Sequence, residues 1–488
     1  MTNAPAIGPS HALFARLKQA GQEHLLTFYP SLSEAQRRAL ETALDAIDFE
    51  RLPRLIKEYV TSAPSAHVPN DLQPAPYYPL NTRARNWDRA RFRAIGEELL
   101  RKGQVAAFTV AGGQGSRLGY EGPKGCYPAS PVTNKPLFQV FAENLRAAAK
   151  KFGKPVPWYI MTSPLNHGAT LRFFEEHSYF GLPEDDVMFF PQGVMPSFEM
   201  GTGRILLAAK HEPATNPDGH GGALKALFTS GAIDEMRDRG VEHISYFQVD
   251  NPLVKIVDPT FLGLHAGAPD SSGEMSSKMV TKANAEEKVG VFCSWNDERT
   301  PDGPRRTGII EYSDMPAALV KQTNADGSLR FNAGSIAVHA LSVDFVAKLN
   351  TDTNFDLPYH RAEKKVPFVD LKSGHIVNPE KPNGVKLERF VFDALPLCAS
   401  SIVFETDRGE EFAPIKNATG VDSVESSKRL QSDRAARWLE SAGISVPRKP
   451  DGSLDATIEL SPLSALEGED VGSIHPRPAI TRGASIAL

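Results

Sequence analysis

Cysteine is scarce in this chain. Only three occur in 488 residues, Cys126, Cys293 and Cys398, and no two form a Cys-x-x-Cys pair. That argues against a disulfide framework and against a zinc site, and it makes a reducing cytoplasm the expected compartment. A positive charge excess is also missing. Lys and Arg number 54 against 59 Asp and Glu, a net charge of −5. Such a chain is not built to coat nucleic acid or an anionic membrane, although local basic groups remain available for a small anion. No apolar run reaches 18 residues, so no membrane span is expected. The first residues, MTNAPAIGPSHALFARL, have no charged segment leading into an apolar one, so no secretory signal is expected. Internal repeats and low-complexity tracts are absent, and nothing in the sequence sets an oligomeric state.

What is present is an ordinary globular composition, 41% hydrophobic, with length enough for roughly three domains of about 150 residues. Residues 1–102 read as a mostly helical region. Ser31-Leu32-Ser33-Glu34 has the form of a capping box. Leu40, Leu44 and Ile47 then recur at helical spacing. Thr61 to Thr82 reads as an extended connection, and Trp87 to Leu100 as a helix. From Val105 the pattern changes to strand, glycine loop and helix: VAAFTV, the glycines, then PLFQVFAENLRAAAKKFG with Leu137, Phe141 and Leu145 at a period of four. PWYIMTS (157–163) and HISYFQVD (243–250) read as further strands, with helical sequence such as Gly222 to Arg239 between them. The expected fold class is α/β, a Rossmann-like mixed or parallel central sheet with helices on both faces, over residues 103–395. Residues 396–488 are expected to form a small C-terminal domain, β-rich at its end, where Ile458, Leu460 and Leu463 have strand-like spacing.

The stretch VAGGQGSRLGYEGPKGCYP, residues 110–128, holds six glycines and two basic residues, Arg117 and Lys124. A Walker A loop needs G-x-x-x-x-G-K-[ST], which occurs nowhere in the chain. A dinucleotide fingerprint needs G-x-G-x-x-G, whereas Gly113, Gly115 and Gly119 are spaced one residue too long. The order A-G-G-x-G-[ST]-R-L-G-x-x-x-P-K is that of nucleotidyltransferases joining a nucleoside triphosphate to a sugar 1-phosphate. Its chemistry is legible. Bare backbone N–H groups can wrap phosphates. Arg117 grips oxygens with a planar fork. Pro123 stiffens the chain before Lys124, a point charge for the same phosphates.

The chain resembles the eukaryotic-type UDP-N-acetylglucosamine pyrophosphorylases, within the wider UDP-sugar pyrophosphorylase family. Besides the loop, the blocks WYIMTS, SYFGL (178–182), VMFFPQG (187–193), PDGHGG (217–222), VDNPLVKIVDP (249–259), FNAGSIAVH (331–339), KKVPFVDLKSG (364–374), KPNGVKLERFVFD (381–393), EFAPIKNA (411–418) and IELSPL (458–463) match in order. The resemblance covers nearly the whole chain and thins before residue 80 and after 465. It implies a uridylyltransferase that makes a UDP-sugar and pyrophosphate from UTP and a sugar 1-phosphate. Arg117, Lys124, Lys416 and Lys386 are implied as the catalytic cations. Asp250 is implied as the ligand of Mg²⁺, with Mn²⁺ as a substitute; its place at the end of a predicted central strand suits that role independently. Ala111, Gly112, Gly113 and Gly115 would surround the nucleotide. Gln192, whose amide offers a donor and an acceptor together, would read uracil with the Gly112 and Gly219 backbones. Asn251, Gly290, Glu311, Tyr312 and Asn332 would face the sugar.

One position departs from the pattern. His220 stands where the acetylglucosamine enzymes usually carry Asn, and relatives that use glucose 1-phosphate or a broader set tend to carry His there; Gly221 and Gly222 keep the acetylglucosamine form. N-acetylglucosamine 1-phosphate is the expected substrate, with glucose or galactose 1-phosphate as alternatives. A non-catalytic UDP-sugar binding protein is the more distant alternative; the joint presence of Arg117, Lys124, Asp250 and Lys416 opposes it.

Overall fold

The structure is a computed structural model that describes residues 9–62, 68–82, 84–297, 303–352, 355–474 and 479–488. The chain forms two compact units. One comprises residues 1–67, 193–222 and 356–391; the other comprises 68–192, 223–355 and 392–488.

The larger unit is built on a ten-stranded mixed sheet. Its parallel part is made by His243–Gln248, Val105–Val110, Trp158–Thr162 and Val187–Pro191, neighbours in that order. These are the apolar runs recognised in the sequence. Val105 to Phe108 and the whole of Trp158–Thr162 are buried, as strands covered on both faces must be. The helix Leu137–Phe152 follows the glycine loop and buries Leu137, Phe141 and Leu145 against this sheet before stopping at Gly153, where φ is +78°. On the other side of His243–Gln248 the sheet turns antiparallel. Ala333–Ser342 pairs with it, and Met275–Thr281 and Val291–Trp295 pair with Ala333–Ser342 in turn. The helix expected near Trp87 spans Arg89–Lys102, capped by Asp88 and ended by Gly103. The segment from Gly222 to Arg239 is two helices, Gly222–Thr229 and Ala232–Asp238, because Gly231 breaks the run at φ +83°.

At the end of the chain an 18-residue helix, Val424–Ser441, packs over a two-stranded parallel sheet of Ala456–Glu459 and Ala484–Ala487. Ile458 is in that sheet and fully buried; Leu460 and Leu463 follow it, and Leu463 is exposed. The helix escaped the sequence reading because much of its buried face is small: Ser432, Ala435 and Ala436 accompany Trp438 and Leu439.

The smaller unit joins the N-terminal helices to sequence-distant strands. Leu13, Leu17, Leu40, Leu44 and Ile47 share a core with Phe198, Ile205, Val385 and Leu387. A three-stranded antiparallel sheet supplies Phe198, Val385 and Leu387, with Gly384–Glu388 between His360–Lys364 and Phe198–Glu199. The capping box lies two residues later than the sequence suggests. Ser33 caps Glu34–Asp45 and exchanges hydrogen bonds with Gln36, at 3.0 and 3.3 Å. Tyr29–Ser31 is still a separate 3-10 turn, so Ser31 cannot start the helix. Of the extended connection expected over Thr61–Thr82, residues 63–67 lie outside the described residues; Gln73–Pro74 adds a short antiparallel strand to the large sheet. Among the described residues, no helix is long and apolar enough to cross a membrane.

Candidate active site

The glycine loop begins where the strand Val105–Val110 ends. Strand pairing continues one residue further, with the Ala111 N–H donating to the Met161 carbonyl at 2.7 Å. The loop then closes on itself. The Lys124 N–H donates to the Gly113 carbonyl at 3.0 Å, and the Gly115 N–H to Gly122 at 2.9 Å. A residue not singled out in the sequence fixes the loop from below. Buried Asn166 donates through Nδ2 to the carbonyls of Ala111 (3.0 Å) and Gly113 (3.3 Å), and its Oδ1 accepts from the Ser163 N–H at 2.8 Å. The Ser-Pro-Leu-Asn spacing was the available signal, since Asn in such a turn binds nearby backbone. Within the loop, Arg117 is exposed on the short turn Ser116–Leu118 and makes no hydrogen bond or ion pair among the described residues. Lys124 is at the loop's base, largely buried.

Parallel pairing sets what faces Lys124. Val110 is in register with Gln248, so the chain leaves both strands at one level. Asp250 follows, and its Oδ2 is 3.4 Å from Lys124 Nζ, each side chain 15% exposed. The two residues are 126 positions apart in sequence, and the sheet brings them together as the resemblance implies. The described residues contain no group of three or more His, Cys, Asp and Glu able to enclose a metal. A lone carboxylate with phosphate oxygens is nonetheless a fitting donor set for Mg²⁺, which keeps few protein ligands at nucleotide sites.

Gly112 is needed for close approach. A Cβ there would collide with Gln192 Oε1, which is held over the loop by a largely buried side chain and by its backbone N–H bond to Thr162 at 2.8 Å. The strand Val187–Pro191 thus delivers Gln192 beside Gly112. Gly112→Ala is expected to displace this amide and raise the KM for UTP by about tenfold or more, on the scale of one lost polar contact to a ligand. Unchanged KM values for UTP in initial-rate assays would separate Gln192 from nucleotide recognition.

A pocket beside Asp250 is lined by Phe247, Asn251, Ser335, Phe412 and Lys416, among others. Lys416 Nζ is 4.0 Å from Asp422 Oδ2 and 5.8 Å from the Phe412 ring centre. Burial pushes the Asp422 carboxyl up, against the pull of Lys416, and Asp250 adds to the upward shift. The segment carrying Lys416 is tied to the Asp250 turn. The Ile415 N–H donates to the Asp250 carbonyl at 2.8 Å, and Asn251 accepts from the Ala413 N–H and donates to the Glu411 carbonyl. The buried amide of Asn251 therefore organises backbone. Behind it, fully buried Lys278 bridges Asp258 and Glu411, both at 2.6 Å. This triad was not legible in the sequence, where the three residues share no motif.

The sugar-facing candidates gather through strand register. Thr281 is opposite Ala333, Val291 is opposite Gly334, and Val291 is also opposite Ile310. Asn332, Gly290 and Glu311 therefore lie at the same end of the antiparallel strands. Glu311 Oε1 would be 3.0 Å from a side chain added at Gly290. Tyr312, next along, is 49% exposed.

Gly219, His220 and Lys386 belong to the smaller unit. Gly219 has φ +84°, a conformation that favours glycine, and its turn packs on the backbone of Arg389. Lys386 is on the central strand Gly384–Glu388, facing away from buried Val385 and Leu387. His220 stacks on Phe390 at 5.0 Å and accepts the Val391 N–H through Nδ1 at 3.2 Å, which places its ring proton on Nε2. Burial, and then the neighbouring His360, lower the His220 pKa to about 4. The unfolded chain therefore binds a proton that the folded one refuses between about pH 6.5 and 4. His220 lends full stability above about 6.5, and that stability is lost progressively as pH falls through the window. His220→Asn is expected to flatten the fall in melting temperature between pH 6.5 and 4.5; an identical pH profile would discount this origin.

The family described as UTP–glucose-1-phosphate uridylyltransferase matches residues 79–436. The chain is 35% identical to UDP-N-acetylglucosamine diphosphorylase 2 of Arabidopsis thaliana, over 96% of this chain and 92% of that one. It is 34% identical to the UDP-N-acetylglucosamine pyrophosphorylase of Saccharomyces cerevisiae, over 95% and 97%. Among solved structures, the UDP-N-acetylglucosamine pyrophosphorylase of Trypanosoma brucei, in complex with inhibitor, aligns with a TM-score of 0.79 at 25% identity, covering 99% of each chain. With this glycine loop, Lys124–Asp250 pair and mixed sheet, the chain belongs to the UTP–glucose-1-phosphate uridylyltransferase family.

Proposed function

We propose that the chain transfers a uridylyl group reversibly between UTP and N-acetylglucosamine 1-phosphate, with release of pyrophosphate. The observation that carries this reading is the meeting of Lys124, at the base of the glycine loop, with Asp250, at the carboxyl end of the neighbouring parallel strand. Ligands of open α/β sheets bind at such ends. The names of the Arabidopsis and yeast relatives support the choice of sugar.

A phosphate oxygen of the sugar 1-phosphate attacks the α-phosphorus of UTP in line, and the bond to the departing pyrophosphate breaks. The nucleophile is already ionised near neutral pH, so no general base is needed. The protein's work is positioning and charge neutralisation. Gln192 and the Gly112 backbone hold uracil. Arg117 and Lys124 bind the leaving pyrophosphate. Lys416 binds the sugar phosphate. Gly290, Glu311, Tyr312 and Asn332 face the sugar. Asp250 would hold Mg²⁺ or Mn²⁺, which supplies additional neutralisation of the triphosphate when bound.

His220 favours a second reading, the same transfer to glucose or galactose 1-phosphate. Pyrophosphate release with UTP, Mg²⁺ and a panel of N-acetylglucosamine, N-acetylgalactosamine, glucose and galactose 1-phosphates decides between them. Preference for N-acetylglucosamine 1-phosphate supports the proposal. Preference for glucose or galactose would transfer it to the second reading, and UTP binding without release to any sugar would refute both.

A further inference from the structure

Lys282 stands apart from the Lys124–Asp250 pair and from Lys416. It follows the strand Met275–Thr281 by one residue, and its N–H donates to the Asn332 carbonyl at 2.9 Å. Strand direction fixes which end of the sheet this is. Met275–Thr281 runs antiparallel to Ala333–Ser342, which runs antiparallel to His243–Gln248. Lys282 therefore lies at the same end of the sheet as Asp250 and the glycine loop, beside the register positions of Gly290, Glu311 and Asn332.

The state of its ammonium is unusual. Lys282 is only 9% exposed, and among the described residues the one hydrogen bond of Nζ is to the Ala285 carbonyl at 3.2 Å. An ammonium has three N–H donors. No carboxylate among the described residues is within ion-pairing distance. The nearby acids are engaged elsewhere: Glu287 with Arg408 and the Ala283 N–H, both at 2.7 Å, and Glu286 with Lys321 at 3.3 Å. Burial pulls the Lys282 pKa down, while Glu287 and Glu286 offset this in part. A secluded cation with spare donors at the ligand end of a sheet is matched by an incoming anion. Surface lysines with no such purpose keep their charge in water.

We infer that Lys282 is a further substrate-binding residue, and that its ammonium holds the phosphate of the sugar 1-phosphate from the side of Asn332 and Gly290. The inference rests on the uridylyltransferase reading of this site. It divides the binding of that phosphate between Lys416, which already has Asp422 at 4.0 Å, and Lys282, which has no carboxylate partner among the described residues. UTP would make no contact that depends on Lys282.

Initial rates of pyrophosphate release by the full chain with UTP, Mg²⁺ and N-acetylglucosamine 1-phosphate test this. Lys282→Met is expected to raise the KM for the sugar 1-phosphate about tenfold to a hundredfold, the range for one charged hydrogen-bonding partner, while the KM for UTP stays within about twofold. A general loosening of the fold would move both constants. Circular dichroism checks folding, and Lys282→Gln, which can still donate to Ala285, serves if the Met variant does not fold. An unchanged KM for the sugar phosphate, or parallel rises for both substrates, would overturn the inference. Wild-type protein inert toward every sugar 1-phosphate would instead sink the uridylyltransferase reading, so the two failures are distinguishable.

Discussion

Lys124→Ala lowers kcat for pyrophosphate release by about 10²–10³-fold, the expected consequence of deleting one preorganised transition-state donor. The expectation rests on how firmly the residue is held. Pro123 enters the turn at φ −60°, the Lys124 N–H is bonded to the Gly113 carbonyl at 3.0 Å, and the short turn Lys124–Cys126 fixes the following backbone. The side chain is 15% exposed and faces Asp250 at 3.4 Å. An ammonium already withdrawn from water and already oriented has little reorganisation left to undergo as charge builds on the leaving pyrophosphate. UTP binding, measured separately by calorimetry, is expected to weaken far less than kcat falls. A variant with wild-type turnover would remove Lys124 from the chemistry.

The second large effect is on folding. Lys278→Met leaves two carboxylates, Asp258 and Glu411, buried without their shared cation, and is expected to cost about 3–5 kcal/mol of stability. Burial alone would raise the Asp258 carboxyl, but Lys278, Lys255 and the Phe261 N–H together outweigh it and hold Asp258 below the usual carboxylate range. Burial would likewise lower Lys278, but Asp258 and Glu411 outweigh it and raise the amine. The signs bound the effect. The depressed acid contributes its stability above its unfolded pKa of about 3.9 and loses it on acidification; the raised lysine contributes below about 10.4 and loses it on alkalinisation. The gap in urea midpoint between wild type and variant is therefore expected to be steady from about pH 5 to 9 and to narrow outside it. Because Glu411 leads directly into Phe412–Lys416, kcat is expected to fall as well, even where the variant remains folded. Equal midpoints at pH 7 would show that the triad adds nothing to stability.

The glycine loop was the most legible part of the chain, because its pattern is local: glycines, one Arg and a Pro-Lys step within 13 residues. The parallel strands were nearly as clear. Each is a short, almost continuous apolar run, as burial on both faces requires. The C-terminal helix Val424–Ser441 was hidden by its own composition, since a stripe of Ser and Ala gives little apolar period. Ser31 misled because it closes a turn that only Tyr29 and Pro30 in context reveal. Asn251 was assigned to the sugar on resemblance, yet its amide is engaged with the backbone at Glu411, Ala413 and Leu253, which no sequence pattern announces.

By itself the sequence determined the family, the α/β class and the glycine loop, because each is encoded by neighbours in the chain. Tertiary structure alone decided the pairing of Lys124 with Asp250, the convergence of Gly290, Glu311 and Asn332, the burial of Lys282 and the Asp258–Lys278–Glu411 triad. Those depend on strand order and register, through which residues scores of positions apart meet at one sheet end. Charge burial, likewise, is a property of what surrounds a residue in space, and the residue's own neighbours in the chain do not specify it.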